Sequence, residues 1–188
     1  CVRLAEEGCA IALTDLASPQ PLMEAESIGT RSEMEVVAEE LRLIGPQVIS
    51  LPMDVRSETQ IEAAISQVVE QLGRIDILVN NAGIGYLFSP VVETPVEFWK
   101  AVMDVNLMGA FLCTKHAARQ MIRQGQGGRI INIASQAAKS GHSHLAAYIA
   151  SKHGLVGLTK AAALETAQLP VTVNAICPGW VLTPLVQK

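Results

Sequence analysis

A tyrosine and a lysine stand four residues apart at Tyr148 and Lys152, and Ser135 precedes the tyrosine by thirteen residues. If 146–164 forms a helix, positions four apart project from one face, so the phenol and the ammonium become neighbours. A cation close to a phenol favours the phenolate over the usual pKa of about 10, which suits a general acid/base. Ser135 ends an apolar run and is suited to donate a hydrogen bond to a developing alkoxide. For the pair alone, an ordinary solvated helix face is the alternative interpretation.

The composition is typical of a globular α/β protein and argues against nucleic acid or a membrane as a partner. The chain has 188 residues, of which 49% are hydrophobic and 17% charged, enough for one domain with a real core. Such aliphatic content is typical of parallel strands that are covered on both faces. The net charge of −4 argues against a nucleic-acid or anionic-membrane partner, and no apolar stretch reaches the length of a membrane span.

The cysteines show neither a CxxC motif nor the spacing of metal ligands. They are Cys1, Cys9, Cys113 and Cys177. Cys9 and Cys177 fall in predicted strands, where cysteine behaves as a small buried hydrophobe. Thiols stay free in reducing compartments, so the sequence predicts a reduced, cytoplasmic protein. No cluster of His, Cys and acidic residues predicts a metal site.

Apolar periodicity predicts strands that alternate with helices along the chain. The predicted strands are 9–15, 48–53, 75–79, 129–134 and 171–176. The predicted helices are the last turns of one in 1–8, then 31–44, 58–72, one or two within 95–125, and 146–168. Ser57 and Gln60 are spaced as a capping box for helix 58–72, and Gly73 closes it. This alternation predicts a doubly wound parallel α/β sheet in three layers.

Polar or glycine-bearing segments lie at or just after the ends of all five predicted strands. They are Asp15, Asp54, Asn80–Gly83, Ser135 and Pro178–Gly179. In a doubly wound sheet, ligands bind in the crevice outside the carboxyl ends of the strands. All five segments are therefore expected at one edge of the sheet. This convergence favours a functional site over a solvated helix face for Tyr148 and Lys152.

These segments resemble motifs of the short-chain dehydrogenase/reductase family. The matching segments are Asn80–Gly83, Val105–Gly109, Ile131–Ser135, Tyr148-x-x-x-Lys152, and Pro178-Gly179 with Thr183-Pro184. Each motif alone is weak evidence, but all five occur in family order and spacing. The resemblance implies a Rossmann-type sheet and reversible NAD(P)-dependent oxidation of an alcohol or reduction of a carbonyl.

The resemblance also assigns roles to four residues. Ser135 steadies the substrate oxygen and Tyr148 passes the proton. Lys152 promotes ionisation of the phenol and holds the nicotinamide ribose, and Asn106 supports a water-linked proton path to Lys152. For Asn106 the alternative is a buried amide that ties a helix kink.

Two glycine-bearing segments are implied to contact the cofactor. In the first, Asn81, Ala82 and Gly83 combine support of the sheet with close backbone approach, which glycine permits. The second faces the nicotinamide carboxamide and comprises Pro178, Gly179, Val181 and Thr183. An ordinary turn after a strand is the alternative for the Pro-Gly pair.

Asp15 indicates the choice of cofactor. A carboxylate at the end of this strand accepts hydrogen bonds from the adenosine ribose and repels a 2′-phosphate. Residues 16–30 contain neither Arg nor Lys, so no cation is present there to favour NADP. NAD is therefore expected. Asp54 and Val55 match the adenine-contact position, with an aspartate that orders a loop as the alternative for Asp54.

The family pattern implies segments that are not found in 1–188. In the family strand order 3-2-1-4-5-6-7, a first strand with a Gly-rich phosphate loop lies between 9–15 and 75–79. The last helix, the last strand and most of the substrate lid are also not found. We therefore expect 1–188 to be a single dinucleotide-binding and catalytic domain lacking these parts. Unpaired buried strand edges are costly, so this chain alone is expected neither to fold stably nor to bind NAD.

The substrate is less well indicated than the reaction. Residues 160–188 resemble bacterial 3-hydroxybutyrate dehydrogenases, but polar residues that grip the carboxylate in those enzymes are replaced here. This chain has Gly85 where those enzymes have Gln, Ala137 where they have His, and Leu145 where they have Lys. Residues 86–88 suggest an apolar wall, which fits a hydrophobic or cyclic ketone or alcohol. The pocket histidine candidates, His142 and His144, are expected to be bystanders in an exposed loop.

The leading hypothesis is an NAD(H)-dependent oxidoreductase that interconverts a secondary alcohol and a ketone. A hydroxy-acid or polyol dehydrogenase fits within that class. The alternatives are a non-catalytic binding subunit with this fold and an NADP-dependent 3-oxoacyl-thioester reductase. The resemblance implies a homotetramer or homodimer assembled through helices about 105–124 and 146–166. Packing of those same helix faces on the sheet is the alternative.

Overall fold

The computed structural model describes residues 1–16, 31–45, 47–85 and 88–181. They belong to two compact units, Cys1–Arg74 and Ile75–Lys188, called unit 1 and unit 2 below. Helices alternate with parallel strands in both units, which confirms the predicted α/β class. Within the described residues, no helix combines the length and the apolar character needed to cross a bilayer.

Unit 1 is a two-stranded parallel sheet with helices. Its elements are α1 (Val2–Glu6), β1 (Ile11–Asp15), α2 (Arg31–Ile44), β2 (Val48–Pro52) and α3 (Glu58–Leu72). Strands β1 and β2 pair in register with Asp15 opposite Pro52. Helix α2 packs on both strands through a core cluster of Ala5, Ile11, Ala38, Leu41 and Val48. Because β1 and β2 run parallel, their carboxyl ends lie at one edge of the sheet.

The start of α3 corrects one prediction. The Ser57 side chain accepts the Gln60 N–H at 3.4 Å, and Gly73 ends the helix with a φ of +84°, both as expected. The reciprocal half of the capping box does not form. The Ser57 N–H donates to the Asp54 carbonyl at 2.9 Å, so Gln60 Oε1 accepts the Asp54 N–H at 2.8 Å instead.

Unit 2 is a three-stranded parallel sheet with helices. Its elements are β3 (Ile77–Asn80), α4 (Val96–Met103), a π-helix (Asp104–Gly109), α5 (Ala110–Gln124), β4 (Gly128–Ile133), a 3-10 turn (Gln136–Ala138), α6 (Ala146–Glu165) and β5 (Val171–Ile176). The strand order is β3-β4-β5. Strand β3 starts later than predicted because both backbone groups of Ile75 bond the Gln124 side chain, at 3.2 and 2.6 Å.

The strand order inside each unit agrees with the order implied by the family resemblance. In unit 1, β1 neighbours β2, and in unit 2, β4 lies between β3 and β5. The strand expected between β1 and β3 stays a prediction.

Buried amides join the elements of unit 2. Asn80 Nδ2 on β3 donates to Asn132 Oδ1 on β4 at 2.8 Å and to Thr114 Oγ1 on α5 at 3.0 Å. Asn132 Nδ2 donates in turn to Thr159 Oγ1 on α6 at 2.8 Å. All four residues are buried, so the network satisfies groups that water does not reach. It fixes both flanking helices against the strands whose ends carry the candidate site.

Candidate active site

Helix α6 carries Tyr148 and Lys152 on one face, one turn apart. Lys152 is only 4% exposed, and its Nζ donates a hydrogen bond to the Ile133 carbonyl at 2.8 Å. The same nitrogen lies 5.7 Å from the centre of the Tyr148 ring. The interpretation of this pair as a solvated helix face is therefore wrong for Lys152, whose side chain points to the carboxyl end of β4.

Burial changes the proton affinity of this lysine. Loss of solvation lowers the pKa of Lys152 to about 8, while the electrostatic interaction with nearby Cys177 acts in the opposite direction. At pH 7 the ammonium still exceeds the free amine by roughly ten to one. The site therefore contains a buried group that is mostly cationic near neutral pH, and a cation in such a place stabilises an adjacent phenolate.

Ser135 lies two residues beyond the carbonyl that binds Lys152. The pairing of β4 with β5 continues around it, since Ala134 N–H donates to Ile176 O and Gln136 N–H to Pro178 O, both at 2.8 Å. The Ser135 hydroxyl accepts the N–H of Ala137 at 3.1 Å and so caps the 3-10 turn. Accepting that bond leaves the hydroxyl proton available for donation to a substrate oxygen.

Asn106 lies in the π-helix and is 1% exposed. Its Oδ1 accepts the Ile84 N–H at 2.8 Å, and its Nδ2 donates to the Ile84 carbonyl at 2.8 Å and to Ser151 Oγ at 3.0 Å. The side chain thus acts as the buried tie that was the alternative interpretation. A water-linked proton path from Asn106 to Lys152 stays a prediction.

The loop after β3 brings backbone close to both α6 residues. Asn81 and Ala82 are exposed. A Cβ on Gly83 would lie 3.5 Å from Lys152 Nζ, and one on Gly85 would lie 3.0 Å from Tyr148 Cδ2. Gly85 also has a φ of +132°, which side-chain-bearing residues rarely adopt. Glycine therefore lets the loop backbone approach both side chains closely.

The segment after β5 is described as far as Val181. Pro178 is half-buried, whereas Gly179 and Val181 are exposed. A Cβ on Gly179 would lie 3.1 Å from Gln136 Oε1, so glycine here leaves room for that carboxamide. Sequence reasoning did not single out Gln136, although it directly follows Ser135. Thr183 lies outside the described residues.

The predicted adenosine-side residues lie in unit 1 at adjacent strand ends. Asp15 is exposed, and its Oδ1 accepts the Leu16 N–H at 2.6 Å. Asp54 pairs with Arg56 at 2.6 Å, and that hydrogen bond lowers the pKa of the Asp54 carboxyl. This geometry agrees with the loop-ordering alternative for Asp54. An adenine contact by Asp54 and by half-buried Val55 stays a prediction.

The three residues that stand where 3-hydroxybutyrate dehydrogenases have polar groups, Gly85, Ala137 and Leu145, are all buried. Ala137 and Leu145 are buried, so neither position presents a polar group. His142 and His144 are exposed, as expected of bystanders. Of the predicted apolar wall, Phe88 is exposed and residues 86–87 lie outside the described part of the chain.

A family model described as short chain dehydrogenase matches residues 1–188. The chain belongs to this family. The short-chain dehydrogenase is 41% identical over 182 residues to D-beta-hydroxybutyrate dehydrogenase of Rhizobium meliloti, covering 96% of this chain and 69% of the relative. These matches confirm the family and the local similarity expected from the motifs.

Two solved structures share the fold of this short-chain dehydrogenase. Carveol dehydrogenase from Mycobacterium avium in complex with NAD has a TM-score of 0.95 at 31% identity, covering 100% of this chain and 67% of the other. An NAD+-bound xylitol dehydrogenase has a TM-score of 0.86 at 39% identity, covering 95% and 64%. The Rossmann-type class is thereby confirmed. The chain spans about two thirds of the length of these relatives.

Proposed function

We propose that this short-chain dehydrogenase is an NAD(H)-dependent oxidoreductase that interconverts a secondary alcohol and a ketone. One observation carries the proposal: the buried Lys152 ammonium, 5.7 Å from the Tyr148 ring, is anchored to the end of the strand that leads into Ser135. A buried cation beside a phenol has a clear chemical use in proton transfer and is costly otherwise. Perturbed groups of this kind concentrate at functional sites.

Three side chains have separate roles in the reaction at the substrate oxygen. Ser135 donates its free proton in a hydrogen bond that stabilises negative charge on that oxygen. Tyr148 takes the proton of an alcohol or returns one to a ketone, and the Lys152 charge stabilises the phenolate between these events. A bound nicotinamide supplies the hydride acceptor or donor.

NAD is the proposed cofactor. Asp15 offers an exposed carboxylate at the end of β1, and residues 16–30 contain no cation for a 2′-phosphate. Both structural relatives described above carry NAD in their crystals. The residues proposed to hold it are Asp15, Asp54, Val55, Asn81, Ala82, Gly83, Tyr148, Lys152, Pro178, Gly179, Val181 and Thr183.

The proposed substrate is a hydrophobic or cyclic secondary alcohol or its ketone. Leu145 and Ala137 place buried apolar groups where a carboxylate-binding enzyme needs polar ones. Gly85 presents no side chain beside the Tyr148 ring, so this position adds no polar group there either. Both features favour a substrate of low polarity.

We also propose a cytoplasmic homotetramer or homodimer. Phe111 and Ile122 on α5 remain exposed in the single chain, and apolar groups of this size suit an interface. Ala117, Met121 and Leu155, which lie on the two helices expected to form the interface, are instead buried within the chain. Their burial agrees with the alternative interpretation, in which these helix faces pack on the sheet of their own chain.

A substrate and cofactor panel tests the reaction. The purified full-length protein is assayed with NAD and NADP against secondary alcohols, hydroxy acids and polyols, and the absorbance of the reduced nicotinamide is followed. Turnover with apolar secondary alcohols and a preference for NAD of about tenfold or more are expected, since a 2′-phosphate would face Asp15. A preference for NADP with 3-oxoacyl thioesters would instead favour the acyl reductase, and no turnover in any combination would contradict the proposal.

A further inference from the structure

Ser151 is a buried hydroxyl on α6 that the proposed reaction does not use. It is 0% exposed and directly precedes Lys152. Its Oγ donates to the Tyr148 carbonyl at 2.7 Å and accepts from Asn106 Nδ2 at 3.0 Å. A carbonyl can only accept, so the single hydroxyl proton is committed to Tyr148. Ser151 therefore presents only lone pairs to Asn106.

This arrangement leaves one orientation for the Asn106 amide. Its NH2 group must face Ser151 Oγ, which has no proton to offer, and also the Ile84 carbonyl at 2.8 Å. The remaining Oδ1 accepts the Ile84 N–H at 2.8 Å. Rotating the amide by half a turn would set oxygen against oxygen and leave buried groups unpaired, which is costly. Ser151 thus adds a third bond to the orientation that the two backbone groups of Ile84 also require.

Holding Ile84 fixes its two neighbours. Gly83 then lies beside Lys152 Nζ, and Gly85 lies against the Tyr148 ring. The Ser151 hydroxyl is therefore the first member of a chain of hydrogen bonds that starts on α6, crosses to the π-helix and ends at Ile84, whose two glycine neighbours lie beside the reactive side chains of α6. Satisfied buried networks of this kind hold side chains in a single arrangement.

We propose that Ser151 is a positioning residue, which holds the Asn106 amide in place and through it fixes the loop 83–85 against Tyr148 and Lys152. The proposal rests on the proposed function for its kinetic consequence, but the positioning itself is a property of the fold. Ser151 acts through its hydrogen bond with the Asn106 amide and contacts neither the substrate nor the nicotinamide.

A double-mutant cycle tests whether Ser151 acts through Asn106. Ser151→Ala is expected to lower kcat about tenfold, the usual scale for one lost buried hydrogen bond, with KM for NAD changed less than about threefold. In an Asn106→Ala background the same change is expected to lower kcat less than about twofold, because its target is gone. Equal effects in both backgrounds, or an unchanged kcat in the single variant, would overturn the proposal.

Thr159→Val is the matched control. Thr159 Oγ1 also donates to a carbonyl of α6, that of Leu155 at 2.7 Å, and accepts from a buried amide, Asn132 Nδ2. Its loss should lower stability as Ser151→Ala does, while leaving kcat within about twofold of the wild type. A loss of kcat that matches the Ser151→Ala loss would show a general stability effect and overturn the proposal.

Amide hydrogen exchange separates this inference from the proposed function. The Ile84 N–H should exchange about tenfold faster in Ser151→Ala, and no faster in Thr159→Val, at matched global stability. If no substrate is turned over by the wild type, the proposed function fails and the exchange result alone decides the positioning. Equal Ile84 exchange in the two variants would then overturn it.

Discussion

Helix α6 carries two buried hydroxyls, at Ser151 and Thr159, that are bonded in the same way. Each donates to a carbonyl of its own helix at 2.7 Å and accepts from a buried asparagine amide, at 3.0 and 2.8 Å respectively. The two asparagines differ in what they hold next. The other end of the Asn132 amide is hydrogen-bonded to the side chain of Asn80 in the core, whereas Asn106 is hydrogen-bonded to the backbone of Ile84 in a loop.

This difference separates a core end of unit 2 from a site end. At the core end, the Thr159–Asn132–Asn80 network joins strands and helices whose positions are already fixed by packing. At the site end, the Ser151–Asn106 pair holds a loop whose glycines lie beside Tyr148 and Lys152. The hydroxyl–amide bond at Thr159 therefore contributes mainly to stability, whereas the equivalent bond at Ser151 positions the loop beside the reactive side chains. Variants at the two ends should separate stability from turnover.

The largest effect on stability is expected at the core end, from Asn132→Ala. The change leaves Asn80 Nδ2 without one of its acceptors and the Thr159 hydroxyl without its donor, both in buried positions. The free energy of unfolding should fall by about 2–3 kcal/mol, the range for a buried group that loses its partner plus a small cavity. Urea denaturation measures it.

Asn174→Ala is the control for that variant, because Asn174 is an exposed asparagine on the neighbouring strand β5. Its loss should change stability by less than about 0.5 kcal/mol. Below the unfolding transition, Asn132→Ala should keep kcat within a few-fold of the wild type. A kcat loss as large as that of Ser151→Ala would remove the distinction between the two ends.

A smaller effect is expected at the site end, in the pH dependence of stability. The folded-state pKa of Lys152 is about 8, below its ordinary 10.5, so the folded protein releases this proton first. Between those values the unfolded state binds more protons, and stability rises with pH. The wild type should gain about 1 kcal/mol between pH 7 and 9 relative to Lys152→Met, as measured by denaturation at each pH.

The pH range is chosen to avoid an opposite contribution. Burial raises the pKa of the Cys113 thiol to about 11, so the folded state keeps a proton that the unfolded state loses from about pH 9 upward. Stability then falls with pH in that window. Parallel curves for wild type and Lys152→Met below pH 9 would show that Lys152 is not desolvated, and would weaken the account of the site end.

Local patterns predicted much of the fold. Helix 31–44 and strand 171–176 were predicted with their observed bounds, because apolar periodicity and the flanking Gly and Pro residues lie close in sequence. The position of Ser135 at the end of its strand, and of Tyr148 and Lys152 on one helix face, also followed from the strand and helix pattern. These features depend on neighbours within one element or on the general rules of parallel sheets.

Features set by distant partners were not predicted. The π-helix at 104–109 contains Asn106, whose partner Ile84 is 22 residues away, and Ser151 is 45 residues from Asn106. Strand β3 starts late because Ile75 bonds a glutamine 49 residues away. No local pattern encodes such bonds. The available signal for Ser151 was a small hydroxyl residue three positions after Tyr148, on the buried side of the helix.

The central claim is that the Tyr148 hydroxyl exchanges the substrate proton with help from the buried Lys152 cation. Tyr148→Phe tests it most directly, because the ring that packs against Gly85 is kept and only the hydroxyl is lost. With the best alcohol from the panel, kcat should fall about a thousandfold or more, while the Kd for NAD changes less than about threefold. A variant that turns over within tenfold of the wild type would contradict the account.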